Sequence, residues 1–160
     1  MVKGWSFGIR PEVLQKNVNK AKKQGAEIVV LLSHNGFDVD QKLAAMINGI
    51  DVILTGHTHD AIPKGIRIKD TLLLSSGSHG KYLGRVDLKV KNGKVVDTSS
   101  NLIPVFSDII PPDPDMTKMI NEIRAPYQDE CDRAIGETET LLYRRGNFNG
   151  SWDDVICNTI

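Results

Sequence analysis

Two short apolar runs with a helix-length spacer between them constrain this chain more than any other feature. Ala26–Ser33 (AEIVVLLS) and Asp51–Thr55 (DVILT) are rich in Val, Ile and Leu, which suits strands buried on both faces. Between them, Leu43, Ala44, Met46 and Ile47 recur at helical spacing, with Asp38 or Asp40 placed to cap the helix and Gly49 to end it. Strand, helix and strand in this order predict a parallel pair joined by a right-handed crossover. Both strands then end at the same sheet edge, where ligand sites of such sheets gather.

The flanking segments fit an α/β class. Upstream, Pro11 opens a helix carrying Val13, Leu14, Val18 and Ala21, with a Lys-rich outer face and a stop at Gly25. Downstream, Ile66–Ile68, Thr71–Ser75, Gly84–Val90 and Lys94–Val96 read as strands, the last two joined by an Asn92-Gly93 turn, so residues 66–105 are expected to be largely antiparallel. Pro111, Pro112 and Pro114 with Asp108, Asp113 and Asp115 mark a stiff acidic linker. A charged helix follows to about Ile135, split by Pro126, then a strand over Thr138–Tyr143 and a helix beginning near Ser151. The organisation expected is a domain over 1–110, a linker helix over 111–135 and the start of another domain over 136–160.

Chemistry concentrates at the two strand ends. Ser33-His34-Asn35-Gly36 follows the first run and Gly56-His57-Thr58-His59-Asp60 the second, so His34, His57 and His59 are expected at one edge. In an extended loop the imidazoles of His57 and His59 share a side, Gly56 lets the chain turn beside them, and Asp60 is placed to fix a ring tautomer. Convergent neutral imidazoles suit a transition-metal ion. His79, in Ser76-Gly77-Ser78-His79-Gly80, reads as a turn residue near that site. Arg144 and Arg145 beside Asn147 offer guanidinium forks for an anion, or else form a solvated surface pair. Cys131 and Cys157 form no Cys-x-x-Cys motif and read as unpaired thiols.

Composition narrows the partners. Twenty basic residues balance twenty acidic ones, so no overall field would hold nucleic acid or a membrane surface, and an anionic substrate needs a local site. No run approaches a membrane span, and Met1-Val2-Lys3-Gly4-Trp5 lacks the apolar region of a signal peptide.

S-H-N-G at 33–36, G-H-T-H-D at 56–60 and G-S-H-G-K-Y-L-G-R-V-D-L at 77–88 resemble the calcineurin-like phosphoesterases of the 5'-nucleotidase group. Within that group, G-W-S-F-G-I-R at 4–10, L-L-S-H-N-G-F-D-V-D at 31–40 and L-L-Y-R-R-G-N-F-N-G at 141–150 resemble the SoxB-type thiosulfohydrolases of bacterial sulfur oxidation. The resemblance implies the second half of a four-layer α/β metallophosphoesterase sandwich, a linker helix and the start of an α/β substrate domain. It implies two Mn(2+) ions, with Zn as an alternative, His34 and His57 on one ion and His59 on the other, and Arg145 and Asn147 at the substrate. The reaction implied is metal-assisted release of sulfate from cysteine S-thiosulfonate on a SoxYZ-type carrier protein, in the periplasm. The family's remaining ligands and its catalytic histidine lie in D-x-H, G-D-x-x-D and G-N-H motifs, which these 160 residues do not contain and which are expected upstream of Met1. By itself the chain is therefore expected to be an inactive fragment that folds poorly, because a divided parallel sheet bares an apolar edge. Alternatives are a periplasmic 5'-nucleotidase or cyclic phosphodiesterase and, in another class, a non-catalytic module holding one structural zinc.

Overall fold

A computed structural model of the chain describes Gly4, residues 8–144 and residues 150–159. The chain divides into two compact units, Met1–Pro111 and Pro112–Ile160.

In the first unit, helix α1 spans Pro11–Lys23. Proline opens it where an N–H has no helical partner, and Gly25 closes it by taking φ +95°. Strand β1 (Val30–Ser33), helix α2 (Phe37–Met46) and strand β2 (Val52–Thr55) form the expected crossover, with parallel register from Val30↔Val52 to Ser33↔Thr55. Gln15 reaches across from α1 and satisfies both the N–H and the C=O of Asn48, just beyond the end of α2.

Strands β3 (Ile66–Ile68) and β4 (Thr71–Ser75) complete a four-stranded sheet of order β1-β2-β4-β3. Here the structure departs from the expected antiparallel run. β4 lies parallel to β2, in register from Val52↔Leu72 to Thr55↔Ser75, and only β3 pairs with it antiparallel. All five residues of β4 are buried, so it is a central strand, and local periodicity does not say which neighbour such a strand will take. Three parallel strands therefore end in one row of hydroxyls: Ser33, Thr55 and Ser75.

Strands β5 (Tyr82–Lys91) and β6 (Lys94–Pro104) form a long hairpin. Asn92 and Gly93 turn it with φ +52° and +71°, the left-handed pair a tight two-residue turn requires. The unit thus has three layers. α1 and α2 cover one sheet face, where Val18, Leu43, Ala44, Ile47 and Ile50 enclose Ile53 and Leu73. On the other face, Val86 and Leu88 of the hairpin cover Val52, Leu72 and Leu74.

The expectation that the 26–33 run is buried on both faces is corrected. Of this run only Val30–Ser33 is strand, and among the described residues it pairs on one side, with β2. Leu32 is 77% exposed and Val30 48%, whereas Val86 and Leu88 of the hairpin pack against residues of β2 and β4. Val13 is likewise exposed, so the apolar stripe of α1 is narrower than its spacing implies.

In the second unit, Asp113 caps helix α3 (Pro114–Arg124) by accepting from the Met116 N–H at 2.8 Å. Pro126 converts the next turn, Ala125–Tyr127, to 3-10 geometry before the short helix α4 (Gln128–Asp132). Helix α5 spans Ser151–Thr159, in agreement with the expected helix start. The strand expected over Thr138–Tyr143 does not form: those residues are irregular, and Leu141 is 82% exposed. A strand needs a partner edge, and none pairs with this segment among the described residues. Cys131 and Cys157 are both free and exposed. No helix among the described residues is long and apolar enough to cross a membrane.

Candidate metal centre

The histidines of the first unit sit where β1, β2 and β4 end. His34 directly follows Ser33, the last residue of β1, and His57 follows Thr55-Gly56 at the end of β2. In-register pairing of Ser33 with Thr55 brings the two rings into edge-on contact, centroids 5.2 Å apart. Gly56 makes that approach possible. A Cβ there would lie 3.3 Å from His34 Nδ1, and the Gly56 N–H donates to the Ser33 carbonyl at 2.9 Å. Gly56 is absent from the residues of positive φ, so a Cβ there would be opposed by crowding alone, and the His34 ring would have to give by a few tenths of an ångström.

His57 and His59 do not lie in the extended loop their spacing suggests. Both take left-handed backbone, φ +82° and +60°. Such conformations are costly for residues with a Cβ and persist where surrounding contacts fix them. Three hydrogen bonds do so here: the Asp60 carbonyl accepts from the Gly77 N–H and from the Ser75 hydroxyl, and the Thr58 hydroxyl accepts from the Phe37 N–H at 3.2 Å. The loop is thereby held to β4 on one side and to the start of α2 on the other. In this loop His59 packs edge-on against His79, centroids 5.6 Å apart. His79 is a turn residue, φ +60°, with its Nδ1 on the Ser78 hydroxyl at 2.8 Å.

The Asp60 carboxylate accepts from the Thr58 hydroxyl, two residues back. Arg144 pairs with Asp153 in the first turn of α5 at 3.6 Å. Arg145 and Asn147 lie outside the described residues.

One residue of this edge escapes sequence reasoning. Asp40 reads as a candidate helix cap, yet the N-cap of α2 is Gly36, with no side-chain cap bond, and Asp40 is fully buried. Its position carries the signal: Phe37, Asp40, Leu43, Ala44 and Ile47 form one helical stripe, so the carboxylate interrupts an apolar face. Below the histidines it accepts from Ser33, Asn35 and Thr55.

Among the described residues no group of three or more His, Cys, Asp or Glu is close enough to hold a metal ion. The donors present nevertheless fit part of one. Two imidazoles in contact at a polar, exposed sheet edge suit a divalent transition metal whose other ligands come from elsewhere.

Gly36 offers a direct check of this packing. Its backbone (φ +95°, ψ 158°) lies in a region essentially restricted to glycine, and a Cβ would sit 2.9 Å from Thr58 Cγ2 and 3.6 Å from His57 Cδ2. Gly36→Ala is expected to cost about 1–3 kcal/mol and to weaken metal binding by displacing the His57 loop. Gly80→Ala, at φ +66° with nothing within 4 Å of the new Cβ, is expected to add strain alone. Urea unfolding and metal titration of both variants check this, and unchanged metal binding in Gly36→Ala would sink it.

No protein-family model matches the chain. Of solved structures, it is similar to the sulfate thiohydrolase SoxB of Thermus thermophilus, with a TM-score of 0.87 and 38% identity, over 98% of this chain and 29% of that one. It is also similar in fold to a 5'-nucleotidase precursor from the same species, with a TM-score of 0.76 and 21% identity, over 86% of this chain and 31% of that one. Among curated relatives, it is 28% identical over 154 residues to a snake venom 5'-nucleotidase of Macrovipera lebetinus, spanning 84% of this chain and 37% of that protein. It is 38% identical over 87 residues to the uncharacterized metallophosphoesterase YunD of Bacillus subtilis, spanning 54% of this chain and 19% of that protein. The chain therefore spans well under half the length of these relatives. With the crossover sheet and the histidine-bearing strand ends in place, this likeness identifies the chain as belonging to the metallophosphoesterase family that includes SoxB and the 5'-nucleotidases.

Proposed function

We propose that this chain supplies the histidine side of a dinuclear-metal hydrolase site whose substrate is a cysteine S-thiosulfonate on a SoxYZ-type carrier protein, with sulfate as the released product. The observation that carries the metal site is the 5.2 Å contact of His34 and His57 at the ends of two hydrogen-bonded parallel strands. The substrate reading rests on the 38% identity to SoxB along 98% of this chain and on the Arg144-Arg145-Gly146-Asn147 run. In this reading residues 1–110 belong to the catalytic domain, 111–135 to a linker and 136–160 to a substrate domain. The setting is the periplasm.

His34 and His57 would hold one cation and His59 the other, manganese being the metal favoured, although imidazole donors accept zinc as well. Bound there, the pair of ions would supply Lewis acidity and an acidified water. The chain's own residues do the rest. The three strand ends fix the imidazoles, and the Thr58 and Ser75 hydroxyls hold the loop between His57 and Asp60 in its left-handed form. Arg145 and Asn147 would bind the anionic end of the substrate, a guanidinium offering two parallel N–H donors to oxyanion oxygens.

A second reading is a 5'-nucleotidase or related phosphodiesterase, favoured by the 28% identity to the venom enzyme over 154 residues. The protein in its full natural length, supplied with Mn(2+), should be assayed for sulfate release from thiosulfonate-loaded carrier and for phosphate release from a nucleotide. Sulfate release at a kcat/KM at least about tenfold higher, equivalent to about 1.4 kcal/mol in transition-state stabilisation, is the expected result. Phosphate release alone would replace the first reading with the second.

A further inference from the structure

Asp40 lies on the buried stripe of α2, where an apolar residue would satisfy the core, and its carboxylate is completely enclosed. Among the described residues it has no ion-pair partner. A buried carboxylate without a cation is costly and persists only when its oxygens are well supplied with donors. Asp40 has them: Oδ1 accepts from Ser33 Oγ at 2.7 Å and Asn35 Nδ2 at 3.3 Å, and Oδ2 accepts from Thr55 Oγ1 at 2.5 Å. Its place in the first turn of α2 adds the favourable end of the helix dipole.

The positions of these donors carry the inference. Ser33 and Asn35 flank His34 on either side, and the Asn35 amide also donates to Ser33 Oγ at 2.9 Å. Thr55 precedes the Gly56-His57 pair and faces Ser33 across the sheet. A single carboxylate therefore ties together the two strand ends at the residues next to the two rings.

We propose that Asp40 is a positioning residue, whose carboxylate sets the separation of His34 and His57 through Ser33, Asn35 and Thr55 and so determines how tightly a divalent cation is held there. This rests on the metal-site reading above.

The test uses the protein in its full natural length and Mn(2+) itself as the probe, with affinity measured by titration calorimetry, activity measured against Mn(2+) concentration, and thermal stability measured alongside. Groups that orient metal ligands change affinity by about 10- to 100-fold when removed. Asp40→Asn is expected to weaken Mn(2+) binding by that factor, to shift half-maximal activity to a correspondingly higher concentration and to recover most activity at saturating metal. Thr55→Val is expected to show the same defect in part and Thr55→Ser, which keeps the hydroxyl, to bind as the wild type does. If Asp40→Asn does not fold, the two Thr55 variants decide the matter. Wild-type Mn(2+) affinity in Asp40→Asn or in Thr55→Val, whatever the melting temperature, overturns the proposal. His34→Ala is the control that separates the two levels: if it leaves Mn(2+) binding intact, the metal-site reading fails and the role of Asp40 falls with it.

Discussion

In the protein of full natural length, replacing His57 with alanine is expected to lower kcat/KM by about 1,000-fold or more, since cation stabilisation of a hydrolytic transition state is worth several kcal/mol and each 1.36 kcal/mol is a decade in rate. Among the described residues His34 is the one other imidazole in contact with His57. The contact is edge-on, while His59 packs against His79. Alanine at 57 therefore leaves His34 without the imidazole it touches. The measurement is steady-state kinetics together with metal content. Near-wild-type turnover with full metal occupancy would remove His57 from the site.

The second large effect concerns the sheet that presents the histidines. Ile53 is completely buried at the middle of β2, the strand paired on both sides, and packs with Val18, Leu43, Ala44, Ile47, Ile50 and Leu73. Ile53→Ala is expected to cost about 2–5 kcal/mol, the sum of lost transfer energy and an unfilled cavity. Val13→Ala, on the exposed side of α1, is expected to change stability by less than about 0.5 kcal/mol. Chemical denaturation of both variants tests the assignment, and equal effects would contradict the placement of the core.

The contrast between those two residues shows how far the sequence can be read. Local signals are reliable here: the apolar runs, the helix between them, Pro11 and Gly25 at the ends of α1, and the Asn92-Gly93 turn all correspond to observed elements. From the crossover follows the location of His34 and His57 at one edge. The misses share a cause, which is that they depend on distant partners. Leu32 reads like Ile53, but among the described residues β1 is paired on one side and β2 on both. Thr71–Ser75 reads as a strand without revealing its parallel neighbour, and Thr138–Tyr143 has the composition of a strand but no edge to pair with among the described residues. Positive φ at His57 and His59 depends on hydrogen bonds to Ser75, Gly77 and Phe37, which are remote in sequence. Asp40 is legible as a polar break in an apolar stripe, but a carboxylate in the first turn of a helix is so common as a cap that position alone misassigns it.

The same non-local dependence leaves the metal centre divided. The described residues provide two close imidazole pairs, His34 with His57 and His59 with His79, and no three-ligand cluster. A dinuclear centre built on them needs carboxylate and further imidazole donors from outside this chain's strand ends. The alternative of a single structural zinc needs His34, His57 and His59 to close around one ion together with a fourth ligand, since structural zinc sites are almost always four-coordinate.

Elemental analysis of the protein in its full natural length, purified with Mn(2+) and compared with His34→Ala, separates these directly. Two divalent ions per polypeptide, with at least one lost in His34→Ala together with activity, is the expected result. One tightly held zinc, with metal content and activity unchanged in His34→Ala, would contradict a dinuclear hydrolase centre at this edge.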